Sequence, residues 1–277
     1  MRGAAQVLRA ELVGLAGVVE RNTYLVRRYL WWELAFFLWT VANTLTIVFI
    51  AEGVEATGGQ IDVERTTTVL LIGAVIWAYL GIIFETLTET VAWERWEGTI
   101  EYTFMAPLSR PVHLTGMGLF AVAYGLVQSA LLFAVVAFFF DLSLPEANFA
   151  AALAVLAVAS VSFIGIGMMT SVLPLISPEK GTQLGFIAQG VLLVVSGVYY
   201  PVSVLPEWMQ WLATISPATY ALEGTRDAIL EGAGLADLWG ELWPLLVIGA
   251  VSIPLGLWVF RLGEGHAKRH GKLKRSG

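Results

Sequence analysis

The sequence predicts an all-α membrane protein with six transmembrane helices, an N-terminal amphipathic interfacial helix and an outer re-entrant helical hairpin between spans five and six. Three observations predict it. Hydrophobic residues make up 57% of the chain and charged residues 14%, against roughly 25% charged in a soluble domain. Six apolar runs, 34–51, 68–84, 114–140, 149–173, 184–200 and 242–260, are each 17 to 27 residues long; about 20 residues of helix cross a hydrocarbon core of roughly 30 Å. Lipid offers backbone groups no hydrogen-bond partner, so such runs are expected to be helices. Finally, when sides are assigned alternately along these runs, fourteen of the sixteen Lys and Arg residues fall on one face, which also holds both termini. Retention of short basic loops in the cytoplasm identifies that face as the inner one. Only Arg65 and Arg226 face outward, among twelve acids.

The charge balance excludes other classes. The formal net charge of −6 is the sum of an outer face at −10 and an inner face at +4, so the acidic pI says nothing about nucleic acid, and no nucleic-acid partner is expected. The absence of cysteine rules out disulfides and thiolate chemistry. No Gly-x-x-x-x-Gly-Lys-Ser/Thr loop occurs, so this chain does not cradle nucleotide phosphates itself. His113, His266 and His270 lie in a loop and a basic tail without metal-ligand spacing. No catalytic residue or metal site is assigned, and the first thirty residues lack the apolar core of a cleavable signal peptide.

Residues 4–33 open the chain. Leu8, Leu12, Leu15, Val19, Val26 and Leu30 share a helical face opposite Arg9, Glu20, Arg27 and Arg28, which predicts a helix lying in the membrane interface. Gly14 and Gly17 would weaken or bend it, and Trp31 and Trp32 suit headgroup depth. A soluble helix packed on another domain is the alternative. The longest inner loop, 85–113, is too polar for lipid. Thr99 and Glu101 to Met105 suit a short helix ended by Pro107, with Gly98 turning the chain into it. Trp93, Trp96, Ile100 and Phe104 form an apolar stripe that calls for a soluble partner to cover it. Glu94, Glu97 and Glu101, spaced by three and four, would share a face, which is also what a plain solvated surface looks like.

Here a resemblance enters. Glu94-Arg95-Trp96-Glu97-Gly98-Thr99-Ile100-Glu101, followed by Ala106-Pro107-Leu108, resembles the coupling-helix signature of ABC-2 type transporter permeases. A second block resembles that family's outer segment between spans five and six. It runs Ser196-Gly197-Val198-Tyr199-Tyr200-Pro201, then Leu205-Pro206, then Ser216-Pro217-Ala218-Thr219-Tyr220 to Arg226. With six spans and an amphipathic start, the resemblance covers essentially the whole chain.

The resemblance implies a cytoplasmic connecting helix at 1–33, a six-span domain at 34–262 and a basic cytoplasmic tail at 263–277. Within the domain it implies a coupling helix at about 92–107 and an outer re-entrant segment at about 201–239. Glu94, Arg95, Trp96, Glu97, Gly98, Thr99 and Glu101 are then expected to meet a separate nucleotide-binding ATPase subunit, present in two copies and carrying ATP and Mg. This chain itself would carry no cofactor. Ser177, Glu179 and Lys180, before the fifth span, would be a second contact, a plain turn being equally open. The outer segment holds Trp208, Trp211, Pro217, Tyr220 and Arg226 and is too apolar for a solvated loop; Pro206 and Pro217 would begin two short helices. Arg226 is expected to pair with Glu223 and Asp227.

Polar or aromatic residues within the spans are candidates for a path: Thr40, Asn43, Trp77 and Gln189, with ordinary helix-to-helix hydrogen bonding as the alternative. The path is expected between two permease copies, as a homodimer or heterodimer. The expected activity is ATP-driven export of a hydrophobic or amphipathic molecule, such as a drug, antibiotic or lipid, across a bacterial or archaeal cell membrane, with both termini cytoplasmic. Export of a lipid-linked glycan is the alternative within the family. An ATP-independent transporter or a membrane scaffold is the alternative of another class.

Overall fold

In a bilayer every long apolar run has to satisfy its own backbone groups, and the computed structural model is built of helices joined by turns and short loops across its described residues, which are 4–56, 63–140, 144, 146–177, 179–271 and 273. Among them are eleven α-helices and no strand: α1 Ala4–Arg28, α2 Leu30–Ala56, α3 Val63–Glu97, α4 Ile100–Met105, α5 Arg110–Phe139, α6 Phe149–Thr170, α7 Val172–Ile176, α8 Gly181–Val195, α9 Glu207–Ile215, α10 Pro217–Leu230 and α11 Trp239–Arg269. A 3₁₀ turn, Val202–Val204, precedes α9. Arg2, Asp62, Asp141, Pro178, Lys272, Lys274 and Arg275, which entered the charge and loop readings, lie outside the described residues.

Among the described residues, five segments are long and apolar enough to cross a membrane: Leu30–Ile50, Arg65–Glu97, Arg110–Phe139, Phe149–Ile176 and Trp239–Arg269. The predicted fifth span, 184–200, is instead the 15-residue helix α8, which at 1.5 Å per residue reaches about 22 Å. It stops because Gly197 takes φ +68°, a left-handed conformation that glycine adopts without a side-chain clash. Residues 196–200 therefore turn rather than continue the helix.

Between lipid-facing helices, close packing replaces the hydrophobic effect as the cohesive force, and small residues set how near the backbones come. The α6–α11 contact is of this kind. A Cβ on Gly165 would stand 2.5 Å from the Ser252 carbonyl carbon, and one on Gly249 would stand 3.2 Å from Val161. Ser162 Oγ donates across the same seam to the Leu245 carbonyl at 3.0 Å. At the centre of the bundle, Tyr79 and Ser160 share a buried hydroxyl hydrogen bond of 2.6 Å, and Tyr79, Phe84, Phe163 and Phe260 are fully enclosed. Thr88 and Thr170 bond at 2.9 Å. The span serines at 160 and 162 thus act as packing glue.

The amphipathic start is an unbroken helix through Gly14 and Gly17 that ends at Arg28, one residue before α2 begins. Its packing differs from the pattern in the sequence. The face held against the bundle carries Leu15, Val18 and Asn22, with Val18 seated on Gly116 of α5, while Leu8 and Leu12 of the apolar stripe stay exposed. The protein therefore leaves part of that stripe uncovered, as a helix resting in an interface requires. The C-terminal stretch also departs from a simple tail: α11 runs on to Arg269, with Glu264 and Ala267 buried.

Candidate coupling site and span residues

The last turn of α3 and the whole of α4 form an elbow. Gly98, at φ +77°, follows the helix end; its N–H donates to the Arg95 carbonyl at 3.3 Å, and the Thr99 N–H donates to the Glu94 carbonyl at 2.9 Å. This pair of bonds is the Schellman arrangement, which consumes carbonyls a helix end otherwise leaves bare. Thr99 then leads into α4, which ends at Met105 and is followed by Ala106 and Pro107.

The turn splits the residues that the sequence groups together. Trp96, Tyr102 and Met105 are 74%, 72% and 71% exposed, with Glu97 and Glu101 on the same open surface. Trp93 is partly covered, stacking on Tyr29 at 6.2 Å. Ile100 is buried, and Phe104 turns inward against Phe260 with ring centroids 6.3 Å apart. The three glutamates do not share a face: Glu94 is buried and ion-paired with Arg21 of α1. Arg95 is buried too, its Nε and Nη1 without a hydrogen-bond partner. Glu94 and Glu97 are both on α3, where the packing of α1 with Arg21 covers the former and leaves the latter open; Glu101 is set apart by the left-handed residue at Gly98, which rotates α4 relative to α3.

Behind the elbow lies a charged clasp that the sequence reading passed over. The Arg110 guanidinium sits 4.2 Å from the Phe104 ring centroid and donates to the Phe104 carbonyl at 2.8 Å. Its Nε meets Glu264 Oε2 at 3.0 Å, and Lys268 Nζ meets Glu264 Oε1 at 2.6 Å. On the other flank Ser109 Oγ donates to Glu11 Oε2 at 2.9 Å. These bonds tie α4 to α5 and α11, while Glu94 and Glu11 tie the elbow to α1. The only local signal available was the Glu264 and Lys268 spacing of four; the partners from α1 and α5 are invisible in a one-dimensional pattern.

Ser177, Glu179 and Lys180 form the turn between α7 and α8, with Glu179 and Lys180 exposed. Gly185 of α8 lies against Thr88 of α3, so this turn sits toward the α4 end of the bundle.

The four span candidates do not converge. Asn43 lies on the open surface of α2 and donates to the Trp39 carbonyl of its own helix at 2.9 Å; Thr40 does the same to Phe36 at 3.1 Å. Trp77 packs half-buried on the core, and Gln189 of α8 lies against Gly81 and hydrogen-bonds Glu85. Asn43 was expected to face protein; within a single chain it does not. Glu33, by contrast, is engaged inside the bundle by the Tyr124 hydroxyl, which Gln128 Nε2 reaches at 2.5 Å.

At the opposite end, α9 exposes Trp208 and Trp211, and Pro217 is buried in the first turn of α10. The Tyr220 hydroxyl donates to the Thr214 carbonyl at 2.7 Å, tying the two helices. Arg226 does not form the predicted ion pair with Glu223 or Asp227. Its Nη1 and Nη2 donate to the Gly197 and Val198 carbonyls at 3.1 and 2.5 Å. The positive-φ turn at Gly197 presents those carbonyls, and Gly73 of α3, lacking a Cβ, leaves room for the guanidinium.

Comparison with known proteins follows the same outline. Residues 25–230 match the family described as ABC-2 type transporter. Over 187 residues the chain is 27% identical to the probable multidrug ABC transporter permease YbhR of Escherichia coli K12, covering 66% of this chain and 49% of that protein. It is 29% identical to the linearmycin resistance permease protein LnrN of Bacillus subtilis over 114 residues, 41% of this chain and 29% of the relative. It is 31% identical to ABC transporter G family member 20 of Dictyostelium discoideum over 125 residues, 44% of this chain and 16% of the relative. The matches thus span about half or less of these relatives' length.

Proposed function

Since the chain belongs to the ABC-2 type transporter family, a family of multi-pass membrane proteins, we propose that it is the permease subunit of an ATP-driven exporter. Two copies of a separate nucleotide-binding subunit supply the energy, with ATP and Mg held there. A second permease copy completes the path, and α8 with the turn after it serves as the fifth of six crossings. The permease lies in a bacterial or archaeal cell membrane, with α1, the elbow and the α11 end in the cytoplasm. The domain layout follows from that placement: the connecting helix α1, the spans, and α9 with α10 dipping from the outer face.

One observation carries the reading. The elbow exposes Trp96, Tyr102 and Met105 beside Glu97 and Glu101, while its inner side is fastened by Arg110, Glu264 and Arg21. Exposed aromatic anchors on a short element fixed from behind are what a docking surface needs in order to pass on a displacement. When the ATPase subunits close on nucleotide, the elbow moves with them and α3, α5 and α11 are pulled together. Glu97, Thr99 and Glu101 supply polar contacts, Gly98 supplies the bend, and Glu94 and Arg95 hold the elbow to the bundle from within. The turn with Ser177, Glu179 and Lys180 gives a second contact.

The cargo we propose is hydrophobic or amphipathic, a drug, antibiotic or lipid. The relatives named for multidrug transport and linearmycin resistance support that class, as do the aromatic-rich spans. A lipid-linked glycan is the second reading, kept by Arg27 and Arg28 beside the exposed Trp31 and Trp32.

The test is reconstitution of the purified chain in liposomes, with and without a phosphate-loop ATPase encoded beside it, screened over lipophilic drugs and lipid-linked sugars. The expected result is a stable complex whose ATP hydrolysis rises with cargo. Cargo movement by the lone chain without nucleotide would overturn the proposal.

A further inference from the structure

His113 is 1% exposed, and neither of its ring nitrogens has a hydrogen-bond partner among the described residues. The linear pattern left it in a loop, but α5 begins at Arg110 and carries His113 in its first turn, one turn on from Arg110. Its charged neighbours come from three helices: Arg21 of α1, Arg110 of α5 and Glu264 of α11. An imidazole always presents at least one N–H, and a buried donor without an acceptor is costly. The carboxylate beside it is already taken, Glu264 Oε2 by Arg110 Nε at 3.0 Å and Oε1 by Lys268 Nζ at 2.6 Å. Arg110, however, is bound to more than Glu264. Its Nη2 donates to the Phe104 carbonyl at 2.8 Å and its guanidinium lies 4.2 Å from the Phe104 ring centroid, so that group is fastened to α4.

We propose that Glu264 has two alternative partners on α5, Arg110 while the elbow is seated and His113 once the elbow is displaced, so that His113 is a positioning residue of the clasp. A movement of α4 away from α11 draws the Arg110 guanidinium along with Phe104 and releases Glu264 Oε2. The His113 N–H then donates to that oxygen, and Lys268 keeps the other. One carboxylate passes between two donors a single helical turn apart, so α5 and α11 stay joined while the elbow moves. The unpartnered imidazole raises the free energy of the seated state and is satisfied in the displaced one, which brings the two states closer and makes the clasp a two-position element. Arg21 meanwhile keeps Glu94. The exchange is a property of this fold; its part in coupling rests on the permease reading.

The test is thermal melting of the full chain in detergent. In the wild-type background His113→Leu removes an idle donor and should leave the melting temperature unchanged or raise it by about 2–4 °C. In Arg110→Met, where His113 is the donor left for Glu264 Oε2, the same substitution should lower it by about as much. Adding Glu264→Met to the Arg110→Met chain should abolish that loss. Arg110→Leu is the second background if Arg110→Met does not fold. The same effect of His113→Leu with and without Arg110, whatever its sign, overturns the proposal, as does a loss that persists without Glu264. In the reconstituted complex, cargo-stimulated ATP hydrolysis should fall severalfold in His113→Leu and recover in His113→Gln, which keeps an N–H donor; full stimulation in His113→Leu removes the residue from coupling. A wild-type chain that binds no ATPase defeats the permease reading, and the melting comparison still decides the exchange.

Discussion

Arg110 on α5 and Glu264 on α11 meet at 3.0 Å although 154 positions separate them, and both side chains are largely buried, at 15% and 10% exposure. The same guanidinium covers the Phe104 ring and binds the Phe104 carbonyl. One side chain therefore joins the elbow helix to the first turn of α5 and the last turns of α11. Any force on α4 reaches two long helices through it.

That arrangement predicts a measurable coupling. In a double-mutant cycle of Arg110→Met and Glu264→Gln, unfolding in detergent should give an interaction energy of about 1–3 kcal/mol, the range for a desolvated charged hydrogen bond. Each variant should also lower cargo-stimulated ATP hydrolysis in the reconstituted complex. Strictly additive effects on stability would remove the clasp from the mechanism.

Gly98 holds φ +77° at the bend, a conformation that costs an ordinary L-residue about 1–2 kcal/mol. Gly98→Val should lower stability by that amount and reduce transport, while Gly98→Asn, which tolerates the left-handed region better, should recover much of both. Thermal melting beside a transport assay separates the variants; indistinguishable behaviour of Val and Asn would mean the bend is not held by this residue.

The exposed patch should matter for association and not for folding. Trp96→Ala with Tyr102→Ala removes two side chains that are about three-quarters exposed, so the melting temperature should hardly change. Affinity for the ATPase subunit should fall roughly 10- to 100-fold if these are the aromatic anchors of the interface. Surface-immobilised permease titrated with the ATPase gives the answer, and undiminished affinity would place the docking surface elsewhere.

Helix contacts built on small residues should be sensitive only where the neighbour is backbone. Gly165→Val places a branched side chain against the Ser252 backbone and should cost about 1–3 kcal/mol through over-packing. At Gly190 a Cβ meets nothing within 4 Å, so Gly190→Ala should be neutral or slightly stabilising. Equal losses at both positions would contradict the close α6–α11 approach.

Much of this architecture was written in local pattern. Runs of apolar residues long enough to cross a bilayer, Gly98 before a short helix, and Pro217 at the start of α10 each act within a turn or two of themselves, so the linear chain states them directly. The resemblance carried by residues 94–101 and 196–226 likewise agreed with the family shown by residues 25–230. The shared face of Glu94, Glu97 and Glu101 failed twice over: the positive φ at Gly98 breaks helical register before Glu101, and Glu94, on the same helix as Glu97, is covered by α1 and paired with Arg21. The span at 184–200 came out short for the same kind of reason at Gly197.

What the sequence determined alone was therefore the class, the family, the long helices and the place of the bend at Gly98, all set by composition and short-range sterics. The tertiary structure alone decided which charges meet: Arg21 with Glu94, Arg110 with Glu264, and Arg226 with the carbonyls of residues 197 and 198. Those choices depend on which helix faces pack together. Packing distance is set by small residues such as Gly73, Gly116 and Gly165 acting on partners far away in the chain, which no periodicity along a single helix records.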